Sequence, residues 1–346
     1  MAGTIRWIVD AVSEGRQRHG LRGVLSRWLN RQTRRWRSSV TRRDIAEALR
    51  RAGVPPGGII CVHSSLSRLG YVEGGAETVI DGVCDAVGSA GTVLMPSFPM
   101  DGPMIEYLEQ GPVFDVRTTP SVSGKVTEAF RRRGEVIRSL HPTNPVCAWG
   151  ARAEELTRDH ERSITPFGGD TPYGRIAVRD DSYIVMLETH IHSFLHYLQE
   201  RIGLPTLFLP EERSVPVIDR DGRRRYVRTK VMRPYVPYFM AIPGAPGPGP
   251  EWVEIRDVVL IYPPQREFEI RELGYSLAGW PRAWERRAHL ERTGVLRRAR
   301  LGDGEVGVLH VGGLLAAVER EMQDLVTRFH ASYDPARIAA LGKEIR

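Results

Sequence analysis

No stretch of this sequence approaches the roughly 18 uninterrupted apolar residues that a membrane-spanning helix needs. The opening residues, MAGTIRWIVDAVSEGRQRHG, carry acids and arginines where a secretory signal keeps an apolar stretch, and they offer no small-residue cleavage site. Cysteine is scarce. Cys61, Cys84 and Cys147 are odd in number and form neither a CxxC pair nor a zinc-ribbon spacing, which argues against a disulfide framework. They read as reduced, buried thiols of a cytoplasmic protein. Internal repeats are missing too. What these absences leave is a globular chain of 346 residues, 41% hydrophobic, with a mean hydropathy of -0.29. That is enough for one large domain or two intimately packed ones.

The formal charge of +7 is unevenly placed. Residues 1–43 hold eleven arginines against Asp10 and Glu14, and the remainder has 38 basic and 40 acidic side chains. The basicity therefore belongs to a leader, here taken as residues 1–40, and not to a body spanning residues 41–335. A nucleic-acid enzyme is expected to carry basic charge around its site, so the totals do not favour one. Within the leader, Leu21, Val24, Leu25, Trp28 and Leu29 follow helical spacing and give one apolar stripe beside a basic face. Such a helix suits docking to an acidic partner or a membrane surface, or packing on the body or on the second subunit of a homodimer.

Along the body, Thr41 caps an amphipathic helix, TRRDIAEALRRAG, that Gly53 stops. GIICVH is a buried strand, SSLSRLGYVEGG a loop, AETVIDGVCDAVG a helix and GTVLMPSF a second buried strand. That order indicates a parallel α/β unit. SGKVTEAFRRRG and residues 151–160 read as helices, SYIVML as a strand and FLHYLQERIG as a helix. YVPYFMAIPGAPGPGPEW is too rich in Pro and Gly for regular structure and reads as a surface insertion.

Three places carry candidate chemistry. VHSSLSRLGYVEGG, after a buried strand and before a helix, offers hydroxyls and backbone N–H groups to a phosphate or a thioester carbonyl. THIHSFLHYLQE gathers His190, His192 and His196, with His192 and His196 four apart on one helical face. A neutral imidazole is the usual proton acceptor for an attacking amine or alcohol, and with Glu188 the same histidines are competent zinc ligands of a hydrolase. SLHPTNPVCAWG places His141 near Cys147, a pair that reads either as a nucleophile with its base or as inert packing.

Taken in order, VHSSLSRLGYVEGGAETVIDGV, GTVLMPSF, FDVRTTPSVSGKVTEAFRRRGEVIRSLHPTNPVCAWG, DTPYGRI and LHYLQERIGLP resemble the aminoglycoside 3-N-acetyltransferase family. The resemblance runs from about residue 41 to 225, and more loosely to 330. It implies an α/β fold with a central mixed sheet flanked by helices, to which this chain adds its basic helical extension. It also implies direct acyl transfer from acetyl-CoA to an amine, without an acyl-enzyme or a metal. His63, Ser64, Ser65, Leu66, Tyr71, Val72, Pro120, Ser121, Val122 and Ser123 would then line the CoA channel, and His196 would be the base.

The chain also departs from the family. His192 and Ser193 stand where the family usually has Asn-Thr, and Gln199 stands where it tends to have Glu three residues past the histidine. Ser193 keeps a hydroxyl at the site. The carboxylate that orients His196 would have to come from Glu188, Glu267 or Glu269. These substitutions keep a non-catalytic binding subunit open as an alternative. Acids such as Asp170, Asp219 and Asp221 lie among Arg175, Arg220, Arg223, Arg224, Arg225 and Arg228. That balance points to an amino sugar or related amine, in a biosynthetic step, over a polycationic antibiotic.

Overall fold

The computed structural model describes residues 39–189, 192–201, 203, 207–232, 239–241, 252–254 and 290–317. The leader up to residue 38, His190, Glu267, Glu269, most of the Pro-rich segment and the chain after residue 317 lie outside the described residues.

The body opens with β1 (Ser39–Val40) and α1 (Arg42–Arg51), followed by β2 (Ile59–Ser64), β3 (Tyr71–Val72), α2 (Ala76–Val87) and β4 (Thr92–Pro96). Next come α3 (Met104–Glu109), β5 (Phe114–Asp115), α4 (Lys125–Arg131), β6 (Ile137–Arg138) and β7 (Val146–Gly150). Two short helices, α5 (Ala153–Thr157) and α6 (Pro172–Ala177), precede β8 (Ser182–Leu187) and α7 (Phe194–Arg201). A long hairpin follows, β9 (Phe208–Ile218) and β10 (Arg224–Met232), then β11 (Phe239–Ala241), β12 (Trp252–Glu254), β13 (Leu296–Leu301) and β14 (Gly304–His310).

Among the described residues the main sheet has seven strands in the order β13-β14-β8-β2-β4-β7-β6. β2 runs parallel to both β4 and β8, while β7 and β14 run antiparallel on the two flanks. The sheet is therefore mixed, with a parallel centre. Both of its faces are covered, which is why the central strands read as unbroken apolar runs. Ile59 and Cys61 of β2 enter one core with residues of α5, α6 and α7. Ile60 and Val62 enter the other, with residues of α1, α2 and α4.

Local chemistry sets the first helix. Thr41 and Asp44 form a reciprocal capping box, which satisfies donors that a helix start leaves free. The helix then lies close on α2: a Cβ at Gly82 would stand 2.7 Å from both the Arg42 carbonyl oxygen and the Ile45 Cβ. Upstream of the cap, Val40 pairs with Val72 and is buried in the second core, so the folded body reaches back at least to Ser39.

Two segments that the sequence left without an assigned element hold strands. VIRSLHPTNPVCAWG holds β6 and β7, which pair antiparallel with each other. DRDGRRRYVRTK forms the turn and second strand of the β9–β10 hairpin, whose Val217 and Val227 pack on Phe114 and Val116. The Asp219 carboxylate closes that turn by accepting the N–H groups of Asp221 and Arg223. Arg220 beside it bonds the Arg138 carbonyl and pairs with Glu154. This end of the hairpin is thus tied to β6 and α5.

Candidate active site

The parallel strands end on one edge of the sheet, the place where open α/β sheets offer room for ligands. His63 and Ser64 end β2, Ser97 and Phe98 follow β4, Glu188 follows β8, and the Pro145 turn enters β7 at the same edge. All three motifs seen in the sequence meet there.

α7 brings in the histidines. His196 Nδ1–H donates to Gln199 Oε1 at 2.9 Å, which leaves Nε2 as the ring's lone pair. Burial lowers the pKa of His196, partly offset by the Gln199 bond, so the ring is neutral at physiological pH. Phe167 packs against it with ring centroids 4.8 Å apart, and Phe98 and Tyr173 flank Phe167. The Tyr173 hydroxyl is buried, and burial pushes its pKa up.

His63 faces the start of α7. Its Nε2 accepts the Ser193 backbone N–H at 2.9 Å and lies 3.3 Å from the Ser193 hydroxyl. His192 stands edge-on to it, with ring centroids 6.2 Å apart. Burial pulls His63 down to about 3, with His192 adding to the effect, and His192 itself down to about 4. Both rings are neutral at physiological pH.

Glu188 is not the partner of His196. Its residue adopts a left-handed backbone (φ 52), and its carboxylate accepts the Glu305 N–H at the start of β14. Gly304 makes room for that contact, since a Cβ there would lie 2.1 Å from Glu188 Oε1. Glu200 is diverted as well, to the Thr165 hydroxyl. The side chain bonded to His196 Nδ1 is the amide of Gln199.

The proposed channel residues divide by environment. The Ser65 N–H is taken by the Leu187 carbonyl at 2.9 Å, Leu66 packs on the second core, and Val72 is buried in it. Tyr71 and Val122 are exposed. The 120–123 segment is hooked onto the end of β4: the Ser123 hydroxyl accepts the Phe98 N–H at 2.9 Å, and the Val122 N–H donates to the Phe98 carbonyl at 2.8 Å. A groove of about 540 Å³ runs beside it, lined by Ser121, Val122, Gly124, Lys125, Glu77 and Arg132. A second cavity, of about 600 Å³, adjoins His192 and is lined by Glu188, Met186, Gly307, Arg298 and Asp303.

His141 and His160 lie elsewhere in function. Both are fully buried and stack with centroids 4.5 Å apart, and His141 Nδ1 accepts the Asn144 N–H. Cys147 belongs to the opposite core, and burial pushes its thiol up to about 11. It is packing and not a nucleophile. Among the described residues no three His, Cys, Asp or Glu side chains are grouped to hold a metal ion. No described helix is long and apolar enough to cross a membrane.

Residues 61–323 match the sequence model of the family described as aminoglycoside 3-N-acetyltransferase. The chain belongs to that family. Members are acyl-CoA-dependent N-acetyltransferases, and that is the activity of this chain. It is 32% identical over 221 residues to aminoglycoside N(3)-acetyltransferase VIII of Streptomyces fradiae, covering 59% of this chain and 76% of that one. It is 31% identical over 202 residues to the SPbeta prophage-derived aminoglycoside N(3')-acetyltransferase-like protein YokD of Bacillus subtilis, covering 53% and 72%. Among solved structures, aminoglycoside acetyltransferase AAC(3)-Xa superposes with a TM-score of 0.61 at 23% identity, covering 83% of this chain and 94% of that one. AAC-IIIb, solved as a binary complex with CoASH, gives 0.59 at 20% identity, covering 83% and 97%.

Sequence reasoning missed Phe98, Phe167 and Tyr173 as neighbours of the histidines. Phe167 and Tyr173 sit in TPFGGDTPYGRI, a segment whose motif was visible but whose contact with α7 was not.

Proposed function

We propose that this acetyltransferase uses His196 as general base to move an acetyl group from acetyl-CoA onto the amine of an amino sugar. The observation that carries the reading is the His196–Gln199 bond: it holds the imidazole in one tautomer, with Nε2 as the proton acceptor. The thioester supplies an activated acyl carbon. His196 takes a proton from the attacking amine and returns it to the leaving sulfur, so the products are an amide and a free thiol. The Ser64, Ser65 and Ser193 hydroxyls are the proposed donors to the oxyanion. The groove beside Ser121 is the proposed place for the donor; Lys125 and Arg132 on its wall stand with Glu77 and Glu128, and Arg132 is bonded to Glu128.

The acceptor is assigned to the cavity beside His192. Its lining mixes carboxylates (Glu188, Asp303, Glu305) with guanidinium groups (Arg298, Arg300), a balance that suits an amino sugar with few ammonium groups better than a polycation. The Streptomyces fradiae relative is named an aminoglycoside N(3)-acetyltransferase, and an amino-sugar amine is the chemistry such substrates share. The cytoplasm, where acetyl-CoA is made and used, is the proposed compartment. The His196→Ala variant should bind acetyl-CoA normally and lose about 10²–10⁴-fold in kcat. A variant with near-normal kcat overturns the assignment.

A further inference from the structure

We propose that His63 is a positioning residue for the acyl transfer: anchored on β2, it holds the first turn of α7 through the Ser193 N–H and so sets where the His196 imidazole stands. The inference rests on His196 being the base.

The path is short and continuous. β2 lies at the centre of the sheet, paired in parallel with β4 on one side and β8 on the other, and His63 itself is in register with Met186. At His63 the pairing is with β8, the β4 ladder having ended at Cys61. α7, by contrast, spans eight described residues, too few for a helix to hold its own place in water. A helix start also leaves backbone N–H groups that need partners. The Ser193 N–H finds one 130 residues away in sequence, the imidazole lone pair of His63 at 2.9 Å. The Ser193 carbonyl in turn accepts the His196 N–H at 3.1 Å. A single residue, Ser193, therefore links the central strand to the backbone of the base.

The same geometry excludes His63 as a rival base. Its Nε2 is committed to an N–H donor, so it has no free lone pair on that side, and the low pKa imposed by burial and His192 keeps it uncharged. Protonation would replace the acceptor with a second donor and break the link. His192, edge-on to the ring, helps hold its plane.

The test compares His63→Leu, which cannot accept the Ser193 N–H, with His63→Gln, whose Oε1 can. His196→Ala is measured in parallel. The Leu variant should lose roughly 10–100-fold in kcat, the usual effect of a small misplacement of a catalytic group, while KM for acetyl-CoA holds within about twofold. The Gln variant should recover most of kcat, although an amide cannot act as a base. The acid limb of the pH–rate profile should stay where it is in both. Amide hydrogen exchange at Ser193 should be faster in the Leu variant and near normal in the Gln variant. Should Leu fail to fold, His63→Asn, too short to reach Ser193, serves as the broken contact. Normal kcat in the Leu or Asn variant overturns the proposal. So does a Gln variant that is as slow as the Leu variant while its Ser193 amide stays protected. If His196→Ala stays active, the base assignment falls on its own, and the exchange measurement still decides the His63 contact.

Discussion

Replacing Gln199 tests the orientation of the base directly. Gln199 is 2% exposed, and its Oε1 accepts the His196 Nδ1–H at 2.9 Å. Gln199→Leu keeps similar bulk but removes the acceptor. The buried Nδ1–H is then unsatisfied, which costs about 1–3 kcal/mol and frees the ring to swap tautomers or turn. Losing such a supporting contact typically lowers activity about 10–100-fold. Because Nε2 acts only in the transition state, the loss should fall on kcat and leave KM for acetyl-CoA unchanged. Gln199→Glu makes the opposite change. A carboxylate beside the ring favours imidazolium and should raise its pKa by about 1–3 units. A base works only when neutral, so the acid limb of the kcat/KM profile should move to higher pH by the same amount. In the native enzyme burial lowers the pKa, so that limb should lie below about 6.5. Steady-state rates from pH 5 to 9 on the three proteins decide it. A Leu variant with kcat within about twofold of native, or a Glu variant whose acid limb does not move, would refute the orienting role.

Two further predictions concern stability. His141 and His160 are buried neutral, His141 held at about 3 and His160 well below its usual value by loss of solvent. Since the unfolded chain binds protons first, their contribution is complete above about pH 6.5 and declines as pH falls towards 3, by up to about 1.4 kcal/mol per unit for each ring. Urea midpoints at pH 7.5 and 5.5 should show that fall, and a flat response would contradict the burial argument. Gly82→Ala should destabilise by about 1–3 kcal/mol, because its methyl group meets the Arg42 carbonyl and Ile45 at 2.7 Å. Thermal unfolding measures it, and an unchanged Tm would mean that α1 can move away freely.

What the sequence by itself determined was whatever rests on neighbours along the chain. The β2 run IICVHS had to be a strand covered on both faces, because every side chain in it up to Val62 is apolar. Thr41 announced a helix start, and the order of motifs from His63 to Gln199 was enough to point to the family. Contacts made across the fold were another matter. β7 and β10 were hidden, since a strand rich in arginine or flanked by prolines gives little local signal until a partner strand supplies its hydrogen bonds. Glu188 looked like the orienter of His196 from its place in the chain, but β14 arrives from more than a hundred residues downstream and takes its carboxylate. The same holds for His63, whose bond to the Ser193 N–H no local pattern announced. Spacing and propensity act within a few residues. Which lone pair meets which N–H is decided only when the sheet brings distant segments to one edge.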